Sequence, residues 1–465
     1  MRGVNPPAAC GIALDRIAAF FDAEKAEYER RHPHSRQAAG HGIAGFYGGV
    51  PMHWMLDWSM PFPLLVKEVR GAVLRDVDGN TYADFCLGDT GAMFGHSPAP
   101  VVDAIRRQAD KGLTCMLPTE DAIVIGPLLA ECFGLPHWQV AMTATDANRF
   151  ALRVARAVTG HPRILVFNGC YHGTVDDTFV RLAGGVAANR PGLLGQVTDL
   201  TRLTRVVEFN DVPALAGALS HRDVACVITE PVLTNCCMVL PEAGFHAELR
   251  RLTREAGALL LIDETHTISS GRGGYARAHG LEPDLLVLGK PIAGGVPASV
   301  WGFTDEVARR LTDVRHRMPA GHSGMGTTLS ANALSLAAIR ATLEQVMTPA
   351  AYGHMDSLAE HLSAGLRGVI ARHGLPWHVV RIGARVEFVC APGPLANGTA
   401  AEAARAPALE QAIHLGLLNR GCLIAPFHNM MLVSPATAAS QVESLCDAFG
   451  AVVTALLAGS GVPGS

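Results

Sequence analysis

A single lysine is the strongest chemical signal in this chain of 465 residues. The sequence has only four lysines, at positions 25, 67, 111 and 290, although lysine and arginine together number 38. Lys290 directly follows the apolar run DLLVLG and precedes the glycine-rich segment PIAGG. Arginine can replace lysine at an exposed charge site, but it cannot lose its proton and attack a carbonyl. Lys290 is therefore predicted to hold an aldehyde as an imine, and a surface lysine beside a glycine-rich turn is the alternative.

A carboxylate twenty-seven residues earlier indicates which aldehyde this is. Asp263 ends the apolar run ALLLID, and open α/β sheets bind ligands at the carboxyl ends of their strands. A buried acid needs a partner, and a protonated pyridine nitrogen is a suitable one that also makes the ring an electron sink. The pair predicts pyridoxal 5′-phosphate. A metal-binding or nucleotide-binding acid is the competing interpretation, but the sequence has neither a GxxxxGK[ST] motif nor a cluster at metal-ligand spacing.

The junction AMTATDANRF is predicted to bind the phosphate. Thr143 and Thr145 precede a helix expected from about Ala147, and free N–H groups at a helix start favour an anion. Threonine and aspartate are also ordinary N-cap residues, so this signal is weak by itself.

Two further strand ends carry candidate residues. Tyr171 and His172 follow the predicted strand Arg163–Phe167, where the tyrosine stacks on a flat ring or packs in the core. Glu230 closes ACVITEP and is expected to face the same crevice. The segment GHSGMG does not match the GxSxG nucleophile elbow, which argues against a hydrolase triad.

The elements that position these residues alternate between strands and helices. The apolar runs are continuous, as expected when both faces of a mainly parallel sheet are covered. The predicted strands are Arg163–Phe167, Val206–Phe209, Ala225–Thr229, Ala258–Ile262, Leu285–Leu288 and Ser299–Phe303. Helices such as Phe150–Ala157 and Ala247–Glu255 lie between them, so the fold class is α/β.

The two chain ends differ from this central region. A helix over 12–31 and short strands from Leu65 to Leu87 precede it, and a helix over Ala351–Arg372 and a strand over Val386–Cys390 follow it. We predict an N-terminal segment at 1–95, a large cofactor domain at 96–345 and a small α+β domain at 346–465. The stretch 391–407 is predicted to be an insertion or mobile loop, and the tail GSGVPGS to be disordered.

Composition argues against several partners. The formal net charge is −4 and charged residues make up 17%, so neither nucleic acid nor a polyanion is expected. The apolar runs are too short to span a membrane, and no signal peptide is recognised. Eleven scattered cysteines without a CxxC pair favour a reduced, cytoplasmic compartment.

The ordered motifs together resemble the class III aminotransferases, which are fold-type I pyridoxal-phosphate enzymes. The resemblance extends from YGGVP and RDVDGNTYADF through FGHS, ARAVTG, CYHG and LGKPIAGGVPAS to LNRGCLIAP, and is strongest to the glutamate-1-semialdehyde aminomutase and β-amino-acid transaminase branch. It implies a large, mainly parallel seven-stranded sheet domain and a smaller α+β domain from the two chain ends.

The same resemblance assigns roles. Lys290 is the imine lysine, Asp263 the pyridinium partner and Tyr171 the stacking ring. Thr328 corresponds to a threonine that reaches the phosphate of the neighbouring subunit, which implies a homodimer with shared active sites. The whole predicted cofactor set is Thr143, Ala144, Thr145, Tyr171, His172, Glu230, Asp263, Lys290 and Thr328.

The sequence departs from the family at two cofactor positions and at the substrate-binding arginines. Thr143-Ala144-Thr145 replaces Ser-Gly-Thr, and Thr265 stands where an apolar residue lies beneath the ring. Phe427-His428 replaces the carboxylate-binding arginine of the β-amino-acid branch, and 43–45 lacks that of the aminomutase branch. Arg385 and Arg149 are candidate replacements, with surface or structural roles favoured for both.

The predicted activity is amino-group transfer between an amine or amino acid and a keto acid or aldehyde. An aminomutase, racemase or epimerase using the same cofactor is the first alternative. The second is a cofactor-binding protein without turnover.

Overall fold

The computed structural model describes residues 10–458. The predicted disorder of the tail at 459–465 falls outside the described residues. The strands are β1 (Val66–Arg70), β2 (Val73–Asp76), β3 (Thr81–Asp84), β4 (His137–Ala141), β5 (Arg163–Phe167), β6 (Val180–Ala183), β7 (Val186–Asn189), β8 (Thr204–Val207), β9 (Val224–Thr229), β10 (Leu259–Asp263), β11 (Leu285–Leu288), β12 (Ser299–Phe303), β13 (His378–Ile382), β14 (Arg385–Val389), β15 (Cys422–Leu423) and β16 (Met430–Leu432).

The helices lie between these strands and at both ends of the described chain. They are α1 (Leu14–Arg31), α2 (Pro33–Ala39), α3 (Ala99–Ala109), α4 (Glu120–Phe133), α5 (Ala144–Thr159), α6 (Val212–Leu219), α7 (Phe245–Ala256), α8 (Gly274–Ala278), α9 (Asp305–Arg317), α10 (Ala333–Ala341), α11 (Pro349–Arg372), α12 (Gly398–Ala404), α13 (Pro407–Asn419) and α14 (Ala439–Ala458).

The larger of two compact units comprises Pro98–Tyr352 and Leu395–Ala403. Its seven-stranded sheet has the order β4-β12-β11-β10-β9-β5-β8. Only β12 runs against its neighbours, because β12 pairs antiparallel with both β11 and β4 while the other recorded pairs are parallel. Every residue of β9, β10, β11 and β12 is buried, which explains their unbroken apolar runs. This architecture confirms the predicted α/β class with a large, mainly parallel seven-stranded sheet.

Helix α5 packs its apolar face into the core of this sheet. Ala147, Phe150, Ala151 and Val154 are buried and recur at the helical spacing of three and four residues. The Thr143 side chain accepts a hydrogen bond from the N–H of Asp146, so the helix begins at Ala144, earlier than the predicted Ala147.

The smaller unit comprises the described residues up to Ser97, Gly353–Pro394 and the described residues from Ala404 onward. It contains the sheets β1-β2-β3-β15 and β13-β14-β16. Helix α14 is long and apolar enough to pass a length and composition test for a membrane span, the only such helix in the part of the chain described. Its residues Val442, Leu445, Phe449 and Val452 are fully buried, as in the core helix of a domain.

Two local predictions need correction. The stretch 391–407 is not simply a loop, since Gly398–Ala404 forms helix α12. The hydroxyl of Thr399 donates to Glu208, and its N–H lies 3.4 Å from the same carboxylate, so hydrogen bonds hold the helix start. The strand predicted at Val206–Phe209 is β8, which begins two residues earlier, at Thr204.

Candidate active site

The predicted site residues lie at the carboxyl ends of neighbouring parallel strands. In sheet order, β11 leads to Lys290, β10 ends at Asp263, β9 leads to Glu230, and β5 leads to the loop of Tyr171 and His172. Parallel strands present their carboxyl ends at one edge of the sheet, so the fold gathers these four segments.

Lys290 is held in an uncommon backbone conformation. Its φ is 47°, in the left-handed region that non-glycine residues rarely adopt, and it begins a short 3₁₀ turn over Lys290–Ala293. Its Nζ lies in hydrogen-bond contact with Nε2 of His266. Before it, Gly289 passes so close to α5 that an added Cβ would lie 2.8 Å from Cβ of Ala144.

Asp263 is buried and hydrogen-bonded through both oxygens. Its Oδ2 accepts from Nδ2 of Asn148 at 2.9 Å and contacts Nδ1 of His172 at 3.0 Å. Its Oδ1 accepts from the N–H of Thr265 at 3.1 Å, and a carboxylate oxygen has two lone pairs. One acceptor position on Oδ1 therefore suits the N–H of a pyridinium ring.

Electrostatics keeps this pair ionised. Burial by itself would raise the pKa of Asp263, but the hydrogen bond and positive charge of His172, with hydrogen bonds from Thr265 and Asn148, lower it below the usual value. Burial by itself would lower the pKa of His172, but the hydrogen bond to Asp263, the contact with Cys170 and the negative charge of Asp263 together raise it. Asp263 is thus a fixed negative charge at neutral pH.

The start of α5 forms a cradle with the loop after β5. The N–H of Thr174 donates to Oγ1 of Thr145 at 3.1 Å, and Gly173, with φ of 77°, lies so close that a Cβ would meet Thr145 at 2.1 Å. The hydroxyl of Ser299 donates to the carbonyl of Thr143 at 2.7 Å, which ties the cradle to β12. Free N–H groups in the first turn of α5 suit a phosphate.

A connected chain of hydrogen bonds links Glu230 to Lys290. Its Oε2 accepts from the N–H of Thr234 at 3.1 Å and from the Thr234 hydroxyl, and its Oε1 accepts from Nδ2 of Asn235 at 3.0 Å. Oγ1 of Thr234 is 2.6 Å from Nδ1 of His266. Burial raises the pKa of Glu230, although the charge of His172 and these hydrogen bonds oppose the shift.

Tyr171 and Thr328 lie away from this network. The Tyr171 ring is 41% exposed, which disfavours the alternative of a packed core tyrosine, and the guanidinium carbon of Arg190 is 5.9 Å from its centroid. Thr328 is exposed in the loop between α9 and α10, and lines a surface cavity of about 450 Å³ with Met116 and Leu117. Their roles in stacking and phosphate binding stay predictions.

The described residues fit pyridoxal phosphate. A lysine amine, an ionised buried carboxylate with an open acceptor position, and a helix start beside a close-packed glycine match the aldehyde, ring nitrogen and phosphate in turn. Among residues 10–458, no group of three or more His, Cys, Asp or Glu side chains is arranged to hold a metal.

Comparison with known proteins agrees with this geometry. The sequence model of the family "Aminotransferase class-III" matches residues 55–453. The chain belongs to the class III aminotransferases. It is 35% identical over 351 residues to the glutamate-1-semialdehyde 2,1-aminomutase 2 of Bacillus cereus, covering 73% of this chain and 79% of that protein.

Solved structures extend the likeness to nearly the full length. A glutamate-1-semialdehyde aminomutase from Pseudomonas aeruginosa has 49% identity and a TM-score of 0.94, with 96% of this chain and 100% of that one covered. A lysine-to-alanine variant of a protein with the same description was solved in complex with PMP. An omega-transaminase from Sphaerobacter thermophilus has 28% identity and a TM-score of 0.83, covering 92% and 99%. The family and the cofactor predicted from the sequence are thus confirmed.

Several residues of the site were not predicted. Sequence analysis did not assign roles to Asn148, Thr234 or Asn235, whose contacts join segments far apart in the chain. Polar residues just after the ACVITEP strand end are the signal that could have indicated Thr234 and Asn235. Asn148 occupies a buried position of α5 among apolar residues, and a polar residue in such a pattern indicates a buried hydrogen-bond partner.

The candidate substrate arginines differ in exposure. Arg385, within the smaller unit, is fully buried and donates from Nη2 to Oγ1 of Thr90 at 2.5 Å. A surface role for Arg385 is therefore wrong. Arg149, in the larger unit, is exposed. His428, at the position of the missing arginine, lies in the smaller unit with its Nδ1 3.0 Å from Oε1 of Glu387.

Proposed function

We propose that this chain is an aminomutase, which moves an amino group between adjacent carbons of one small molecule. The match to an aminomutase at 49% identity over 96% of the chain supports this reaction more strongly than the transamination expected from the motifs. An amino-bearing aldehyde such as glutamate 1-semialdehyde is the substrate class that the relatives' names suggest.

The cofactor chemistry requires little of the protein beyond position and charge. Pyridoxal phosphate, when bound, supplies an aldehyde that condenses with amines and a ring that withdraws electrons from the carbon next to nitrogen. Lys290 would then supply the amine that removes a proton from the substrate carbon and returns it to the neighbouring cofactor carbon, because its tether keeps the amine close to both. Asp263 keeps the proton on the ring nitrogen, and His172 with Asn148 fixes the orientation of that carboxylate.

A two-substrate aminotransferase is the second candidate. The segment 43–45 lacks the carboxylate-binding arginine expected from the aminomutase branch, and an omega-transaminase is also similar over most of the chain. The acceptor in that case is a separate keto acid or aldehyde.

The need for an acceptor distinguishes the two reactions. We expect the loaded protein to convert glutamate 1-semialdehyde, without added keto acid, into the isomer with its amino group on C1, as followed by chromatography. A single turnover would leave the visible spectrum of the cofactor at its starting form. Product formation that depends on an added keto acid would contradict the aminomutase and favour the aminotransferase. Solvent-deuterium uptake without either product would favour a racemase.

We also propose that the chain works as a homodimer with shared sites. Met116, Leu117 and Ile123 are 78%, 71% and 76% exposed, and the first two line the cavity beside Thr328. Such apolar exposure is costly unless it is covered by a partner. Thr328 would then contact the phosphate bound by the other subunit.

Hybrid dimers test this arrangement. A Lys290→Ala chain mixed with a Thr328→Val chain contains one site with both native residues if Thr328 acts across subunits. We expect that hybrid to bind the cofactor as tightly as wild type at one site per dimer, whereas Thr328→Val alone binds it weakly. Weak binding by the hybrid, or sedimentation as a monomer, would contradict the proposal.

A further inference from the structure

The chain of contacts from Lys290 to Glu230 has a defined direction. Glu230 accepts a hydrogen bond from Thr234, whose single hydroxyl proton is then committed to the carboxylate. The remaining lone pair of Thr234 Oγ1 faces Nδ1 of His266 at 2.6 Å and needs a donor there. Nδ2 of Asn235 lies farther from Nδ1 of His266, at 3.4 Å, and donates instead to Glu230 at 3.0 Å. His266 therefore carries its proton on Nδ1 and presents the lone pair of Nε2 to Lys290.

This arrangement controls the amine of Lys290. A free amine that donates one N–H to His266 points its own lone pair away from the imidazole. When Lys290 Nζ accepts a proton from a carbon, the new ammonium still donates to Nε2 of His266. The balancing negative charge is that of Glu230, three hydrogen bonds away from the ammonium, in a low-dielectric interior where charge interactions are strong. Burial favours the neutral form of Glu230, and the positive charge of the ammonium favours its ionised form.

We propose that Glu230, Thr234 and His266 form a relay that orients the Lys290 amine and stabilises the proton it accepts. His266 contacts the reacting nitrogen directly, whereas Thr234 and Glu230 are positioning residues that act through it. The proton that leaves the substrate carbon remains on Nζ, shared with Nε2, and the net charge of the relay and lysine changes from −1 to 0. This inference rests on the proposed function in requiring Lys290 to act as a base.

Glu230 is the carboxylate to which this chain of hydrogen bonds leads. The other charged groups that act on Glu230 are His172, which favours its ionised form, and Asp263, which opposes it. Glu264, next in sequence to Asp263, is occupied by the hydroxyl of Thr267 and by backbone N–H groups of α8. Because all these groups are buried, replacing any one of them should shift the ionisation of Glu230.

Labelling of the amine tests the relay without turnover. The full chain, freed of cofactor, is treated with acetic anhydride from about pH 6 to about pH 11, and peptide mass spectrometry measures each of the four lysines separately. In Glu230→Gln, Thr234→Val and His266→Gln, we expect the half-labelling pH of Lys290 to fall by about one unit, which is about tenfold faster labelling near neutrality, because the ammonium loses its stabilisation.

Matched controls separate this effect from general loosening. Thr234→Ser keeps the hydroxyl and should restore the wild-type value. His246→Gln alters a histidine that hydrogen-bonds to the carbonyl of Pro231 and packs against aromatic rings, with no recorded contact to the relay, and it should leave Lys290 unchanged. Lys25, Lys67 and Lys111 report any global change in the same sample.

The relay is refuted if Glu230→Gln and Thr234→Val, folded as judged by circular dichroism, give the wild-type half-labelling pH. If His266→Gln fails to fold, Thr234→Val remains decisive, because it replaces a hydroxyl with a methyl group of similar shape. If the variants show the expected fall in the half-labelling pH of Lys290 but the wild-type protein moves no amino group, the aminomutase is rejected and the relay is not. Amino migration without the shift would reject only the relay.

Discussion

Replacing Gly289 by alanine should disturb, through one contact, the start of α5, which is predicted to bind the cofactor phosphate. The new Cβ would lie 2.8 Å from Cβ of Ala144 and 3.4 Å from its backbone nitrogen. Because Ala144 starts α5, whose next turns are buried against the sheet, the helix cannot simply move away. Overpacking of this kind costs about 1–3 kcal/mol. For a unit of this size, the melting temperature should fall by roughly 2–4 °C per kcal/mol.

The assay is thermal unfolding followed by circular dichroism, with and without pyridoxal phosphate, beside a Gly217→Ala control. Gly217 lies in α6 with no atom within 4 Å of its added Cβ, so alanine there should raise stability by about 0.5–1 kcal/mol. We expect Gly289→Ala to lower the melting temperature and, by shifting the first turn of α5, to weaken cofactor binding about tenfold or more, as lost charge-assisted hydrogen bonds do. A Gly289→Ala protein as stable and as tightly loaded as wild type would refute the reasoning.

Other outcomes follow from single contacts. Lys290→Ala should abolish the visible absorption band of the lysine imine in the loaded protein, and Lys111→Ala should keep it. A Lys290→Ala spectrum identical to that of wild type would reject the lysine assignment. His172→Gln should destabilise by about 3–5 kcal/mol in urea unfolding at about pH 6, because it leaves Asp263 buried without its counter-charge. Because the pKa of His172 is raised on folding, its contribution to stability is fully present below the pKa of the unfolded chain. The difference in unfolding free energy between wild type and variant should therefore shrink as pH rises toward the folded pKa of about 10. A difference that stays constant with pH would contradict this reasoning. Asn148→Asp should lower both stability and cofactor affinity, measured by melting and absorbance titration, because it places a like charge 2.9 Å from Asp263.

The sequence predicted well those features that depend on local pattern. Leu285–Leu288 and Ser299–Phe303 were predicted with their observed bounds, because both are continuous apolar runs ended by glycine or polar residues. The boundaries of α5 and β8 were less accurate, since the capping bond of Thr143 and the pairing partners of Thr204 are not visible in hydropathy.

The order of motifs was enough to identify the family and its cofactor, and the comparisons supplied what the motifs did not. Motifs around Lys290 and Asp263 are shared by aminotransferases and aminomutases alike, so they could not choose between the reactions. The broken substrate motifs favoured neither branch, and overall similarity to the aminomutases became the better guide.

The sequence alone selected Lys290 and Asp263 as candidate cofactor residues, because a rare or charged residue at the end of an apolar strand is a local signal. Their surroundings were decided only by tertiary structure. His266 precedes Lys290 by twenty-four residues and Glu230 precedes it by sixty, yet parallel strands bring their ends together and Thr234 completes the contact. Hydrogen-bond direction depends on which atoms meet across such distances, and no spacing along the chain specifies it.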